Sequence, residues 1–297
     1  MNGEAKNSLK IKSLYPRMKG LLLHMDNILS ESEPELISHA TENNLYDLYI
    51  EIGKLDKGEL FVQEDIEWVI ARPYWPNFIF RPQFKPQSIS LRLSQIIKKI
   101  RDLDAPPVMQ VGNQAKPNDL DECLKRNGFQ MLVERSRMAL DLKAKHLSSA
   151  TPNKLDIFEI KNQEDFGIWI DVALRSFNSY LGIFDSLLNG EKVKLYSGVH
   201  NGQVVATSMT FLSSGVAGIY FVSVIPELRN RGLGKEMMLR CIYEAQELGY
   251  NYCILQATDI GEHLYRSLGF KLYGTLKYFF FPDVSVQAFL QNNRQCA

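Results

Sequence analysis

The segment from Val216 to Phe281 constrains the fold most, because short apolar stretches typical of strands alternate there with stretches of helical period. A strand from Val216 to Val224 is followed by Pro226, a glycine-containing loop and a helix from Lys235 to Leu248, with Gly249 as its C-cap. The remaining elements are a strand at 252–257, a helix at 260–268 and a strand at 271–281. This β-α-β-α-β order predicts a mixed sheet with helices on its faces.

The residues before this segment are dominated by strands, which makes the predicted α/β (α+β) sheet mostly antiparallel. Strands at 194–199 and 204–212 flank the turn His200-Asn201-Gly202-Gln203, and the Asn-Gly pair is a strong hairpin signal. Leu155 to Ile160 alternates as a strand, Glu164 to Phe177 is helical, and a second helical region lies at 186–190.

The first half of the chain has its own alternation of helices and strands. Helices are predicted at 34–52, 88–101 and 119–126, and strands at 67–71, 77–80, 106–111 and 129–142. A chain of 297 residues exceeds the size of one usual core, and the polar segment Lys143–Asn153 is its best linker. We therefore expect an N-terminal domain over 1–145 and a second domain over 154–297.

Charge and cysteine content exclude several classes of protein. Basic and acidic residues number 34 each, so no global field attracts nucleic acid or an anionic membrane. The four cysteines, Cys123, Cys241, Cys253 and Cys296, have no metal-like spacing, and reduced thiols suit a cytoplasmic protein. We expect no metal site, no membrane segment and no nucleic-acid partner, in a monomer or homodimer.

The loop Arg229-Asn230-Arg231-Gly232-Leu233-Gly234 has the features of an anion site. Two glycines let main-chain N–H groups turn inward at the start of a helix, where the dipole also favours negative charge. A solvated surface turn would be the better interpretation of a bare Gly-x-Gly, but the position between strand and helix favours the anion site. The Gly-Lys-Ser/Thr ending of a Walker loop and the third glycine of a dinucleotide loop are both missing.

Two motifs in this region resemble those of the GNAT superfamily of acyltransferases. Val224 to Lys235 is similar to its motif A, with Arg229, Gly232 and Gly234 at the defined positions, and Leu264 to Phe270 is similar to its Leu-Tyr-x-x-x-Gly-Phe segment. The resemblance implies the GNAT fold and acetyl-CoA as co-substrate. It assigns the pantetheine arm to main-chain groups of Val222, Ser223 and Val224, and the pyrophosphate to the loop Arg229, Asn230, Arg231, Gly232, Leu233, Gly234 and Lys235.

The same resemblance makes Tyr265 the catalytic proton donor to the CoA sulfur, although a core aromatic on a helix is the alternative. Thr258 holds the position of a common family asparagine, so we count it with the cofactor-binding residues. The glutamate that several family members use as general base is missing, because Gly218 occupies its position. A water chain or one of five side chains could replace it: Asp185, Glu191, Asp259, Glu262 and His263.

Leu124 to Phe129 echoes the second motif, so the first half is interpreted as a diverged GNAT-like domain. It has no Gly-x-Gly loop, since Arg81-Pro82-Gln83-Phe84-Lys85-Pro86 stands there and two prolines lack N–H donors. We expect no CoA binding in this half. A group of aromatic residues either lines a pocket facing the second domain or is plain core: Trp68, Tyr74, Trp75, Phe78 and Phe80.

The hypothesis that follows is an N-acetyltransferase that moves an acetyl group from acetyl-CoA to an amine of a small molecule or peptide. One alternative is a non-catalytic acyl-CoA-binding regulator, which the missing glutamate favours and Tyr265 opposes. Another is a tandem GNAT aminoacyl-transferase that uses charged transfer RNA, which zero net charge opposes.

Overall fold

The computed structural model describes residues 28–55, 57–143, 154–177 and 185–291. Its helices are α1 (Pro34–Gly53), α2 (Ile89–Arg101), α3 (Leu120–Arg126), α4 (Gln163–Phe177), α5 (Leu233–Glu247), α6 (Asp259–Ser267) and α7 (Val286–Gln291). Its strands are β1 (Glu59–Val62), β2 (Glu67–Ile70), β3 (Asn77–Phe80), β4 (Val108–Val111), β5 (Gln130–Asp141), β6 (Asp156–Glu159), β7 (Val193–His200), β8 (Gln203–Ser213), β9 (Val216–Val224), β10 (Tyr252–Ala257) and β11 (Lys271–Phe280). Short 3-10 turns cover Asp185–Asn189 and Pro226–Leu228.

All described strands belong to one 11-stranded sheet in the order β1-β2-β3-β4-β11-β5-β10-β9-β8-β7-β6. Most neighbours are antiparallel, and the parallel pairs are β3 with β4 and β9 with β10. The predicted mixed, mostly antiparallel sheet flanked by helices is therefore confirmed.

The two halves of the chain exchange strands at the middle of the sheet. Strand β11, from the C-terminal half, lies between β4 and β5 of the first half, and β5 in turn pairs with β10 of the second half. Hydrogen bonds of the sheet thus join the two halves on both sides of the junction. The division into domains at 1–145 and 154–297 remains a prediction, and the linker on which it rests lies mostly outside the described residues.

The sheet curls around helix α1. Strands β3 and β9 are separated by four strands in the sheet order, yet the rings of Trp75 and Phe221, next to β3 and in β9, lie 5.2 Å apart. Helix α1 contacts β8, β9, β5 and β11 as well as β1 and β2, and most of its apolar side chains are fully buried. A helix at the start of the chain therefore lies on the concave face of the sheet and contacts both halves.

Helix α5 covers the opposite face of the second half. Met237, Met238 and Ile242 of α5 pack with Ala217 and Ile219 of β9, while Val216 and Tyr220 of the same strand face α1. This alternation along β9 follows from the two-residue period of a strand and means that both faces of β9 are buried. Its residues are accordingly almost all apolar.

The predicted helices and strands are present with boundaries that shift by at most two residues. The sequence of 129–142 allows a strand pair or one long strand, and the structure shows one long strand. Strand β1 and helix α7 were not predicted, since each is short and has no clear period. No helix within the described ranges combines the length and the hydropathy that crossing a bilayer would need.

Candidate functional site

The candidate site lies where the parallel strands β9 and β10 separate. Their ladder pairs Ala217 with Cys253 and Gly218 with Ile254, and no pairing continues along Ile219–Val224 and Leu255–Ala257. The two strands therefore diverge over their C-terminal ends, which leaves the β10-facing edge of β9 open at Val222, Ser223 and Val224. An extended ligand with amide groups could hydrogen-bond to such an edge.

A bulge at Phe221 fixes the direction of β9 at this point. The register between β8 and β9 shifts between Thr207 and Met209, and Phe221 has a φ of 51°. The Thr207 hydroxyl donates to the Phe221 carbonyl at 2.9 Å and lies 2.6 Å from the buried Ser223 hydroxyl. A bulky residue at positive φ costs on the order of 1–3 kcal/mol, and strain of this kind clusters at active and ligand-binding sites. Strain at Phe221 thus marks the edge that the sequence assigns to the cofactor.

The loop after β9 offers a row of unpaired N–H groups. Among the residues that the structure describes, no acceptor is hydrogen-bonded to the backbone N–H of Asn230, Arg231, Gly232, Leu233 or Gly234. Asn230 and Gly232 have φ values of 61° and 86° and alternate with residues of negative φ. Such alternation turns consecutive N–H groups into one concave nest, and here the nest continues into the first turn of α5. The predicted anion site has the donors it requires.

Side chains hold the loop from behind and leave its N–H groups free. Arg229 donates through Nε to the Val224 carbonyl at 3.2 Å and through Nη2 to the Ser176 carbonyl, so it joins the end of β9 to the last turn of α4. Arg231 donates to the Glu227 carbonyl at 3.4 Å and is exposed, as is Lys235. Arg229 therefore anchors the loop, whereas Arg231 and Lys235 carry exposed positive charge at its surface.

Lys154 belongs to the site and was not predicted. Its Nζ donates to the Arg231 carbonyl at 2.9 Å, and a Cβ at Gly232 would lie 3.6 Å from that Nζ. Its backbone N–H is held by the Glu236 carboxylate of α5 at 3.0 Å. The sequence placed Lys154 only at the start of the second domain, because nothing local shows that β6 runs beside the loop.

Helix α6 brings Tyr265 near the same loop. A Cβ at Gly234 would lie 3.8 Å from Val224 Cγ2 and 3.9 Å from Leu264 Cδ2, so the loop, the end of β9 and α6 meet at this glycine. The Tyr265 ring packs against Phe270 with 6.1 Å between centroids. Burial raises the pKa of Tyr265 above its usual value of 10, which keeps the hydroxyl protonated at neutral pH. Within the described residues, this hydroxyl has no hydrogen-bond partner.

Two residues at the start of α6 fix the position of Tyr265. Thr258 is the N-cap, and its hydroxyl accepts the Gly261 N–H at 3.2 Å. Gly261 leaves room for the tyrosine, since a Cβ there would lie 2.7 Å from Tyr265 Cε2 and 3.0 Å from its hydroxyl oxygen. The Thr258 side chain is thus occupied by the cap, and a direct contact of its hydroxyl with a cofactor remains a prediction.

The position of the missing glutamate is filled by the first half of the chain. A Cβ at Gly218 would lie 2.1 Å from Asn44 Oδ1 of α1. The Asn44 amide nitrogen donates to the carbonyls of Phe211 and Ser213 at 3.2 and 2.9 Å, and its oxygen accepts from the Tyr220 hydroxyl at 2.7 Å. Glycine at 218 is therefore explained by the close approach of Asn44, and no larger side chain fits while α1 stays in place.

The remaining candidates for a general base have unfavourable surroundings. Glu262 is bound by Arg266 at 2.6 Å and by Ser136 at 2.8 Å, and these contacts lower its pKa. Asp259 pairs with Arg135 at 3.4 Å and is almost fully exposed. Glu191 and His263 are exposed, and the Asp185 side chain lies outside the described part of the chain. Proton transfer from the acceptor to water is the simplest interpretation that this arrangement allows.

The corresponding place in the first half is closed. Strands β3 and β4 pair only at Ile79 and Met109, but beyond that point Gln83 forms a parallel bridge with Lys116. The Lys116 N–H donates to the Pro82 carbonyl at 2.9 Å, and the Phe84 N–H donates to the Lys116 carbonyl at 3.1 Å. The chain itself thus occupies the gap that stays open between β9 and β10, which supports the expectation that this half binds no CoA.

Comparison with known proteins agrees with this geometry. Residues 155–270 match the model of the acetyltransferase (GNAT) family. A search of curated proteins by sequence gives no match.

Solved structures share the fold over most of the chain. A GCN5-related N-acetyltransferase from Kribbella flavida superposes with a TM-score of 0.63 at 16% identity, covering 80% of this chain and 95% of that one. A GCN5-related N-acetyltransferase from Sphaerobacter thermophilus gives 0.55 at 16% identity, covering 82% and 90%. A tandem GNAT protein from the clavulanic acid biosynthesis pathway gives 0.50 at 12% identity, covering 72% and 77%. The predicted GNAT fold is confirmed, and residues 155–270 are the part of the chain that matches the acetyltransferase (GNAT) family model.

Proposed function

We propose that the chain is an acetyl-CoA-dependent N-acetyltransferase whose acceptor is an amine of a small molecule or peptide. The observation that carries the proposal is the row of five N–H groups from Asn230 to Gly234, which have no partner among the described residues and lie where β9 and β10 diverge. A pyrophosphate fits these donors, since consecutive N–H groups at a helix start bind anions with help from the dipole. Exposed Arg231 and Lys235, with Lys154 behind the loop, add charge of the required sign.

The open edge of β9 suits the rest of the co-substrate. Main-chain groups of Val222, Ser223 and Val224 would pair with the amides of the pantetheine arm, as an added strand pairs with a sheet edge. With this pairing the thioester would lie beyond Val222, toward Phe221 and the concave face. The loop and the strand edge together would thus hold the pyrophosphate and the pantetheine arm of acetyl-CoA.

The reaction needs the chain to orient an uncharged amine toward the thioester carbonyl and to supply a proton to the leaving thiolate. As the N–C bond forms, the S–C bond breaks, and the Tyr265 hydroxyl donates the proton to sulfur. Its raised pKa keeps this donor protonated. The proton lost by the amine goes to water, because Asn44 occupies the place where a base would stand, and water returns a proton to the Tyr265 phenolate.

A non-catalytic acyl-CoA-binding regulator is the second candidate, and the replacement of a base by Gly218 and Asn44 is the observation in its favour. The two functions differ in the release of free thiol from acetyl-CoA in the presence of a panel of amines. The proposal expects amine-dependent thiol release that Tyr265→Phe reduces. Tight acetyl-CoA binding with no thiol release for any amine would instead favour the regulator.

A further inference from the structure

Five half-buried aromatic side chains from both halves of the chain line the concave face beside the end of β9. Their rings connect through close contacts: Phe177 with Phe221 at 6.2 Å, Phe221 with Trp75 at 5.2 Å, and Phe78 with Tyr278 at 5.7 Å between centroids. The buried Tyr49 of α1 closes the series, at 5.3 Å from Trp75 and 5.5 Å from Phe78. We call Trp75, Phe78, Phe177, Phe221 and Tyr278 the aromatic box.

The aromatic box differs from the rest of the aromatic group that the sequence pointed out. Trp68 is buried in a separate core and stacks on Phe61, and Phe80 is fully buried. Trp75 and Phe78 remain partly accessible, as do Phe221 and Tyr278. The group therefore divides into fully buried core residues and residues whose rings remain partly accessible to solvent.

The box adjoins the proposed thioester position. Phe221 immediately precedes Val222, the first residue of the edge assigned to the co-substrate, and its strained backbone directs the ring toward Trp75. Trp75 comes from the segment before β3, so the first half of the chain contributes a wall next to the second half's reaction site. This gives the first half a role that does not require CoA binding.

Charges around the box argue against a polycationic acceptor. In the last three turns of α1, Glu42, Asp47 and Glu51 pair with Arg137, Arg81 and Lys192 at 3.2, 3.1 and 3.5 Å. On α6, Asp259 and Glu262 pair with Arg135 and Arg266. These five carboxylates are thus already paired and offer no free charge to a second ammonium group.

We infer that the acceptor is a monoamine with a planar aromatic body, which the aromatic box binds while its amine reaches the thioester. This inference rests on the proposed function. Four of the contacts from Phe177 to Tyr278 are close to perpendicular, at 86°, 89°, 78° and 78°. Aromatic pairs favour contacts of this kind, so an aromatic body can pack in the same way against the ring surface that stays accessible.

The test compares amines and variants in the full chain. The specificity constant kcat/KM is measured for 2-phenylethylamine, 2-cyclohexylethylamine and spermidine with wild type, Trp75→Ala, Trp75→Phe and, as a control, Phe158→Ala. Phe158 is an exposed aromatic on β6 outside the box. Wild type should prefer 2-phenylethylamine, and Trp75→Ala should lower its kcat/KM on the order of tenfold to a hundredfold. Trp75→Phe should lose less, and Phe158→Ala nothing.

Direct binding separates this inference from the proposed function. Calorimetric titration of 2-phenylethylamine into the CoA-saturated protein should show binding that Trp75→Ala removes. If this binding is observed but no amine is acetylated, the aromatic box is supported as a binding site and the enzyme proposal fails. Equal or better use of spermidine, no preference for the planar ring, or unchanged constants in a folded Trp75→Ala would overturn the inference while leaving acetyl transfer intact.

Discussion

The two glycines of the loop should respond differently to substitution, because the structure gives them different backbone conformations. Gly232 has a φ of 86°, where an L residue costs on the order of 1–2 kcal/mol. Gly234 has no such φ, and a Cβ there would meet Val224 and Leu264 only at ordinary contact distances of 3.8 and 3.9 Å. Gly232→Ala should therefore lower stability, whereas Gly234→Ala should not.

Both substitutions should weaken acetyl-CoA binding. A methyl group at either position crowds the pyrophosphate or turns an N–H away from it, and a hydrogen bond to a charged group contributes roughly 1.5–3 kcal/mol. Losing one such bond raises the dissociation constant about tenfold to a hundredfold. For Gly234→Ala the loss must come from the ligand, since the free protein accommodates the methyl group.

The assay is calorimetric titration of acetyl-CoA together with thermal unfolding of each variant. Gly202→Ala is the matched control, because Gly202 has a φ of 77° in the β7–β8 turn with open space around it. It should lower stability as Gly232→Ala does and leave the dissociation constant unchanged. An unchanged dissociation constant in Gly234→Ala would refute the placement of the pyrophosphate at this loop.

Three further substitutions test the rest of the site. Tyr265→Phe should lower kcat roughly 10²–10⁴-fold and retain the affinity for acetyl-CoA. Because burial raises the pKa of Tyr265, the wild-type rate should not fall through loss of its proton until the pH exceeds 10. A wild-type kcat in the variant would make Tyr265 a packing residue. Lys154→Ala should raise the acetyl-CoA dissociation constant severalfold with little loss of thermal stability, whereas Lys161→Ala, also beside β6 but paired with Glu159, should have no effect in the same titration. Gly218→Glu should lower the free energy of unfolding, measured by chemical denaturation, by at least roughly 1–3 kcal/mol, because its Cβ would overlap Asn44. It should not raise the rate of acetyl transfer. A faster enzyme would show that the site has space for a base.

Much of the site could be predicted because its signals are local. The glycines, the preceding strand and the following helix lie within about twenty residues, so residue order alone indicates an anion site at Arg229–Gly234. The periodicity of β7, β8 and α5 likewise gave their positions, since each strand or helix buries a regular set of apolar side chains.

Contacts between distant segments could not be predicted in this way. Nothing in Lys271–Phe280 shows that β11 inserts between β4 and β5, because apolar strands pair equally well with many partners. Gly218 suggested a lost base, but its physical reason is Asn44, which lies 174 positions earlier in the chain. The place of Lys154 beside the loop and of Trp75 beside Phe221 depends on the same long-range packing.

The central claim is that the free N–H groups of the second half, and not the first, receive the pyrophosphate of acetyl-CoA. Hydrogen exchange measured by mass spectrometry with and without acetyl-CoA tests it directly, because these N–H groups are themselves the observable. Acetyl-CoA should protect peptides that cover Val222–Lys235 and leave those that cover Arg81–Ser88 and Gly112–Asn118 unchanged. Protection confined to the first half, or no protection at Asn230–Gly234 under saturating acetyl-CoA, would contradict the account.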